Sequence, residues 1–378
     1  MKKIYSKYKS YILFFMMYAP LGAVCPLIGQ YCSSIGFSGT EVGIVTSLGT
    51  CGAVLGGLVL GKIYANANNK RRVLSLMFAF AAIFGITSLY IKVFILYAVW
   101  YAIIYFFQEP PHGLSEAMVI SNNENFAPIR ALGAIGYAVS SYFSGLLAEK
   151  SGLSSIFYIF FIGYLISAVV ALTEKEPPHT NIKEEKVKIS SLFENKEFRK
   201  LLLCAFFTIG PTMANNTYFS YLYREAGGDL AGIGLAFLLM AGSEAVFMAL
   251  IPSFNRKIST EKLMVIGIAV AILRFGLYSL GPSVGVLLGT FFLQGAMNGI
   301  LLVETVKYFQ KIVDRKYASI SVSTYYALGN NFSAIVCNLI GGIVLDAAGA
   351  RGVYLFLMFM EAAALVLYLG LGLNKNRK

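Results

Sequence analysis

Apolar residues fall in long blocks separated by short polar connectors along nearly the whole 378-residue chain. Twelve blocks can be laid out, at 9–33, 40–64, 71–91, 93–120, 128–149, 153–172, 200–223, 231–253, 263–280, 284–308, 318–345 and 352–373. A helix needs about 20 predominantly apolar residues to cross bilayer hydrocarbon, so each block predicts one membrane-spanning helix. The fold expected is all-α and polytopic. Most connectors are too short to hold an extramembrane domain. The exception, Thr173–Lys200, is charged, contains Pro177 and Pro178, and divides the blocks six and six. This predicts a six-helix bundle over 1–172, a linker over 173–199 and a second six-helix bundle over 200–378. The start of the linker reads as flexible. Its end, Ser190 to Phe198, alternates apolar and charged residues and is expected to lie along the membrane surface.

Composition agrees with the pattern. The chain is 57% hydrophobic and 13% charged, with a mean hydropathy of +0.68, whereas soluble domains carry about 25% charged residues. The net charge of +12 would admit a nucleic-acid partner, but the basic residues are clustered in alternate connectors, as membrane orientation requires. Of the 31 Lys and Arg, 26 fall on the side that holds both termini and the central linker, and four fall on the other; Arg274 lies within a span. Both termini and the linker are therefore expected in the cytoplasm, with the chain in the cell membrane. The basic start runs into a long apolar block without a small-residue cleavage site, which predicts a retained first span. Cys25, Cys32, Cys51, Cys204 and Cys337 lie inside apolar blocks without metal-ligand spacing and read as small packing residues.

The fifth block is the most informative. Between Pro128 and Gly152, Gly133, Ala134 and Gly136 leave one side bare enough for another helix backbone to approach. Arg130 opens the helix, and Tyr137 follows two turns later on the same face. The halves also echo each other. Gly61-Lys62-Ile63-Tyr64, followed by Lys70-Arg71-Arg72, has its counterpart in Pro252-Ser253-Phe254-Asn255 followed by Arg256-Lys257. Gly145 to Gly152 is matched by Gly341 to Gly349.

These features resemble the lactose permease-like branch of the major facilitator superfamily. In that family the Arg and the aromatic ring of the fifth helix contact a sugar. The resemblance extends through Ile35-Gly36-Phe37-Ser38 and Glu41, Ala241-Gly242-Ser243-Glu244, Leu273-Arg274-Phe275-Gly276 and Val306-Lys307-Tyr308. Ser38 and Glu41 also have the spacing of a capping box. It implies a twelve-helix carrier of two six-helix bundles, with a solute held among helices 1, 4, 5, 7, 8, 10 and 11. Three departures stand out. The Asp of the connector between helices 2 and 3 is Ala65, and its later Gly is Asn68. The proton-carrying His and Glu of helix 10 are replaced by Gln294 and Met297, neither of which titrates. The helix 7 carboxylate gives way to Asn215 and Asn216.

Ionisable groups at membrane depth cost about 2.5–3.5 kcal/mol on insertion scales, so each is a functional candidate. Glu244, midway along the eighth block, is the first choice for a group that exchanges a proton as solute binds. Glu109 and His112, three residues apart in Gln108-Glu109-Pro110-Pro111-His112-Gly113, could share a proton beside a proline-broken backbone. Glu116 is the expected partner of Arg130, and Glu244 that of the buried Arg274. Asn215, Asn216, Gln294 and Asn298 offer amide donors and acceptors to a hydroxylated ring. Tyr137 offers a stacking face. Glu304 should pair locally with Lys307, and Glu361, midway along the last block, has no assigned role. No phosphate-binding loop, metal-ligand cluster or catalytic domain is present, so neither a cofactor nor an enzymatic activity is expected. The expectation is a monomeric secondary carrier in lipid that couples a sugar- or nucleoside-like solute to protons. An exporter of the same superfamily and a non-transporting receptor are the alternatives.

Overall fold

The computed structural model describes residues 2–177 and 189–374, and among them the secondary structure is helical throughout. The helices are α1 (Lys2–Val24), α2 (Ile28–Ser34), α3 (Gly39–Ala65), α4 (Lys70–Thr87), α5 (Phe94–Gln108), α6 (Pro110–Ser121), α7 (Phe126–Ser151), α8 (Ser155–Thr173), α9 (Lys196–Glu225), α10 (Leu230–Phe254), α11 (Thr260–Ser279), α12 (Val284–Gly289), α13 (Phe291–Ile312), α14 (Ala318–Thr324) and α15 (Ser333–Gly370).

Fifteen segments serve twelve apolar blocks because several blocks are broken. Pro26 separates α1 from α2, which meet at a 43° bend. Pro110, without an N–H to donate, begins α6 directly after Glu109 closes α5. Thr290 separates α12 from α13. A π-helical stretch, Tyr325–Phe332, joins α14 to α15, and such stretches concentrate at functional positions. The end of the eleventh block and the twelfth block are the two halves of α15, which turns back at Gly349 with φ 68° and ψ −175°. Only a residue without a Cβ takes that conformation readily. Seven helices among the described residues are long and apolar enough to cross a membrane, and the bent α1–α2 pair makes an eighth. The breaks in the fourth and tenth blocks and the polar residues of α9 keep those three below the same threshold. The capping box is present, with the Glu41 N–H donating to the Ser38 hydroxyl at 3.2 Å and the Ser38 N–H donating to Glu41 at 2.9 Å.

The chain divides into two compact units, Met1–Ile182 with Asp229–Leu238, and Lys183–Gly228 with Leu239–Lys378. Asp229–Leu238, which includes the start of α10, thus groups with the first half. In the first unit α1 packs along α7 and α8, α3 along α5, and α4 along α8. The glycines noted in the fifth block are where α1 approaches. A Cβ on Gly136 would collide with the Phe15 carbonyl, and one on Gly22 with that of Tyr137. In the second unit α15 packs on α9 and α11, and α11 on α13.

The linker differs from expectation at its start. Its start is tied to the first unit. Lys9 stands 3.4 Å from the Glu174 carboxylate, Ser10 donates to Glu174 at 3.1 Å, and Arg71 contacts Glu176 at 2.8 Å. Arg71 also donates to the Glu174 carbonyl and Asn122 to that of Lys175. Burial pushes the Glu174 carboxyl above its ordinary range, with Lys9 opposing the shift. At the other end Ile189–Glu194 forms a short 3-10 turn with Leu192 buried, and Asn195 caps α9 through the N–H groups of Glu197 and Phe198. Phe198 is buried in edge contact with Phe309. In the segment from Ser190 to Phe198, Leu192 and Phe198 thus anchor on the second unit while Ser190, Phe193, Glu194 and Lys196 stay exposed. Residues 178–188 fall outside the described part of the chain.

Candidate functional site

Polar and charged side chains gather in each unit separately. In the first, the focus is Tyr18 on α1. Arg130 reaches Glu116 at 3.0 Å, and its guanidinium lies 4.5 Å from the centre of the Tyr18 ring. The Tyr18 hydroxyl donates to the same Glu116 oxygen at 3.0 Å. Beneath it, the His112 ring lies 4.8 Å from that of Tyr18. His112 and Glu116 are four residues apart on α6, so they share one face and both meet Tyr18. Arg130 and Glu116 remain partly exposed, at 42% and 31% of their side chains. Their charges can therefore still be contacted by a solute.

The side chains of His112 and Glu109 do not share a hydrogen bond. The His112 Nε2 stands 3.0 Å from the Met17 carbonyl; a carbonyl only accepts, so this nitrogen is the donor. Its Nδ1 is buried without a partner. Glu109, half-buried between α5 and α6, contributes its backbone carbonyl to the His112 N–H. Tyr137 is half-buried on α7, with the Cys25 thiol within hydrogen-bonding reach.

In the second unit, Arg274 is fully buried on α11. Its expected partner was Glu244, but its guanidinium donates to the Asn215 amide oxygen at 3.3 Å and lies 4.6 Å from the centre of the Tyr278 ring. The other terminal nitrogen lies 4.0 Å from the sulfur of Met240, one turn before Glu244 on α10, and the Nε is buried without a partner. Tyr354 donates to the same Asn215 oxygen at 2.8 Å. Asn215 is fully buried, and its amide nitrogen has no partner. Asn216, one residue on and therefore on another face of the helix, is half-buried.

Glu244 is instead reached by Asn298, whose amide nitrogen donates at 2.9 Å. Gln294, one turn before Asn298 on α13, is buried on the same face. The carbonyl oxygens of both amides lack donors. Glu304 pairs with Lys307 at 2.7 Å and also accepts from Asn255 at 2.9 Å. Among the described residues no group of three or more His, Cys, Asp or Glu comes together as metal ligands would.

Tyr18, Tyr278 and Tyr354 are the members of these clusters that sequence reasoning missed. The chain has 24 Tyr; Tyr18 and Tyr354 meet their partners only through helices distant in sequence, whereas Tyr278 lies one turn after Arg274 on α11, a local spacing that could have marked it.

A family model described as the MFS_1 like family matches residues 5–356. The chain belongs to that family. Two curated proteins are similar over nearly their whole length. An uncharacterized transporter, YwbF, of Bacillus subtilis (strain 168) is 27% identical over 379 residues, covering 97% of this chain and 94% of the relative. The maltose permease of Geobacillus stearothermophilus is 28% identical over 354 residues, covering 91% and 89%. Among solved structures, that of the nucleoside transporter NupG superposes with a TM-score of 0.81 at 18% identity, covering 98% of this chain and 99% of the other. This MFS_1-like chain thus has the all-α, polytopic major facilitator fold. It is a membrane transport protein and not an enzyme.

Proposed function

We propose that this carrier takes up a sugar- or nucleoside-like solute by proton-coupled symport. It would work as a monomer in the cell membrane by alternating access, with both termini in the cytoplasm. One observation carries the solute class. The Asn215 amide nitrogen, the Gln294 and Asn298 amide oxygens and the His112 Nδ1 are all buried without a hydrogen-bond partner. A buried polar group left unpaired costs about 1–3 kcal/mol, and a hydroxyl-rich ring both donates and accepts. Arg130 and Glu116 supply a charged pair for further hydroxyls, Tyr137 a stacking face, and Asn216 another amide. The likeness to a maltose permease and to a nucleoside transporter supports the same class. The 26-to-4 division of basic residues supports the orientation.

Coupling falls to Glu244, with Glu109 and His112 as the second choice. Glu244 is only half-buried and accepts from a neutral amide. It can gain a proton without breaking an ion pair to Arg274. Equilibrium binding of radiolabelled maltose and uridine to the purified protein tests the solute class. One of the two should bind saturably. Tyr137→Trp should retain that binding, and Tyr137→Ala should weaken it about fivefold, the loss of about 1 kcal/mol of stacking. Equal affinity in Tyr137→Ala would return that ring to a packing role.

A further inference from the structure

Glu361 belongs to neither cluster and has no family counterpart among the residues compared above. It is 0% exposed, and neither carboxylate oxygen has a hydrogen-bond partner. It stands twelve residues after the turn at Gly349, and Cys337 stands twelve residues before it. The two antiparallel halves of α15 therefore hold both at about the same depth, and the Cys337 thiol lies within electrostatic reach of the carboxyl. On the buried stripe of the same helix, Tyr354 lies two turns before Glu361 and Tyr368 two turns after. Their hydroxyls are already directed elsewhere, to Asn215 and to the Glu261 carbonyl.

The elements packed on α15 supply little charge. From α9 the buried titratable groups are Cys204, Tyr218 and Tyr223, with Arg224 and Glu225 at its end. From the π-helical stretch there is Tyr325. From α11 there are Glu261, Tyr278 and Arg274, and Glu261 is held by Lys311 at 2.6 Å. Arg274 itself has an amide, a sulfur and a ring for partners, and no carboxylate within salt-bridge distance among the described residues. The second unit thus buries a cation without an anion and a carboxyl without a donor. A bare carboxylate at this depth is far costlier than a carboxylic acid. Arginine does not give up its proton, so Glu361 is the member of the two that can change charge.

We propose that Glu361 is a second proton-carrying site of this transporter. In the present structure it is the carboxylic acid. During the cycle its O–H bond breaks and the proton passes to water, leaving the carboxylate. This rests on the reading of the chain as a proton-coupled carrier, and it differs from that reading in the residue and helix that hold the proton.

Infrared spectroscopy of the purified full chain tests it without any solute. At neutral pH the wild type should show a protonated-carboxyl carbonyl band. That band should be missing from Glu361→Gln and from Glu361→Met, persist in Glu244→Gln, and bleach reversibly as pH rises. A band unchanged in both Glu361 variants, or one that persists until the protein unfolds, overturns the proposal. In vesicles, the accumulation ratio of maltose or uridine under a proton gradient should fall to one in Glu361→Gln while exchange remains measurable. Undiminished accumulation would also overturn it. If the wild type moved neither solute, the transport reading would fail, and the infrared titration would still decide whether Glu361 releases a proton.

Discussion

Arg274 has lost all contact with solvent, and its best acceptor is one oxygen of an uncharged amide. That oxygen also takes the Tyr354 hydroxyl, so Asn215 orders a cation and a phenol together. Hydrogen bonds to charged groups contribute about 1.5–3 kcal/mol, and removing the acceptor leaves the donor buried and unpaired. Asn215→Leu should therefore lower stability by about 2 kcal/mol or more, read as a fall in the thermal unfolding midpoint in detergent. Tyr354→Phe should cost about half as much, because the Arg274 contact survives. Which residues are polar at membrane depth was legible in the sequence, and so was the pairing of Arg130 with Glu116. The pairing of Arg274 was not. Met240 and Glu244 lie one turn apart on the same helix, and only the packing of α10 decides which of them meets the guanidinium.

Helices were more legible than their interruptions. Twelve apolar blocks all lie in helices, and the breaks at Pro26, Pro110 and Gly349 have residues that explain them: a missing N–H or a positive φ. The break at Thr290 and the π-helical stretch Tyr325–Phe332 have no such local cause, since both depend on what the neighbouring helices require. The start of the linker is ordered where its sequence reads as flexible, because its partners are remote. Lys9, Ser10, Lys70 and Arg71, from two helices far away in sequence, converge on Glu174 and Glu176. For Glu174 burial outweighs Lys9, so the folded protein holds its proton more tightly than the unfolded chain. The sign follows directly: the stability gained from the proton is complete below the ordinary carboxyl value of 4.5 and is lost as pH rises through the raised one. Thermal unfolding midpoints across that range should decline with pH in the wild type. In Glu174→Gln this contribution to the slope should vanish. An unchanged slope would mean that the carboxyl binds its proton equally in both states, with burial and the Lys9 contact cancelling.

At the scale of the molecule, the pattern of apolar blocks and the asymmetry of 26 basic residues against four describe a polytopic carrier before any contact is known. The family match over residues 5–356 places the chain among transporters. Each of its two units carries its own polar cluster, Tyr18 with Arg130, Glu116 and His112 in one, Arg274 with Asn215 and Tyr354 in the other. The amides and carboxyls at membrane depth suit the hydroxylated solute and proton coupling proposed above, and Gln294 and Met297 cannot themselves carry a proton. The most direct measurement is uptake of radiolabelled maltose and uridine into vesicles containing the purified protein, with an imposed inward proton gradient. The account predicts that one of the two accumulates above its external concentration, that collapsing the gradient abolishes the excess, and that Glu244→Gln exchanges solute without accumulating it. Extrusion of solute against the same gradient, or movement of neither solute, would contradict it.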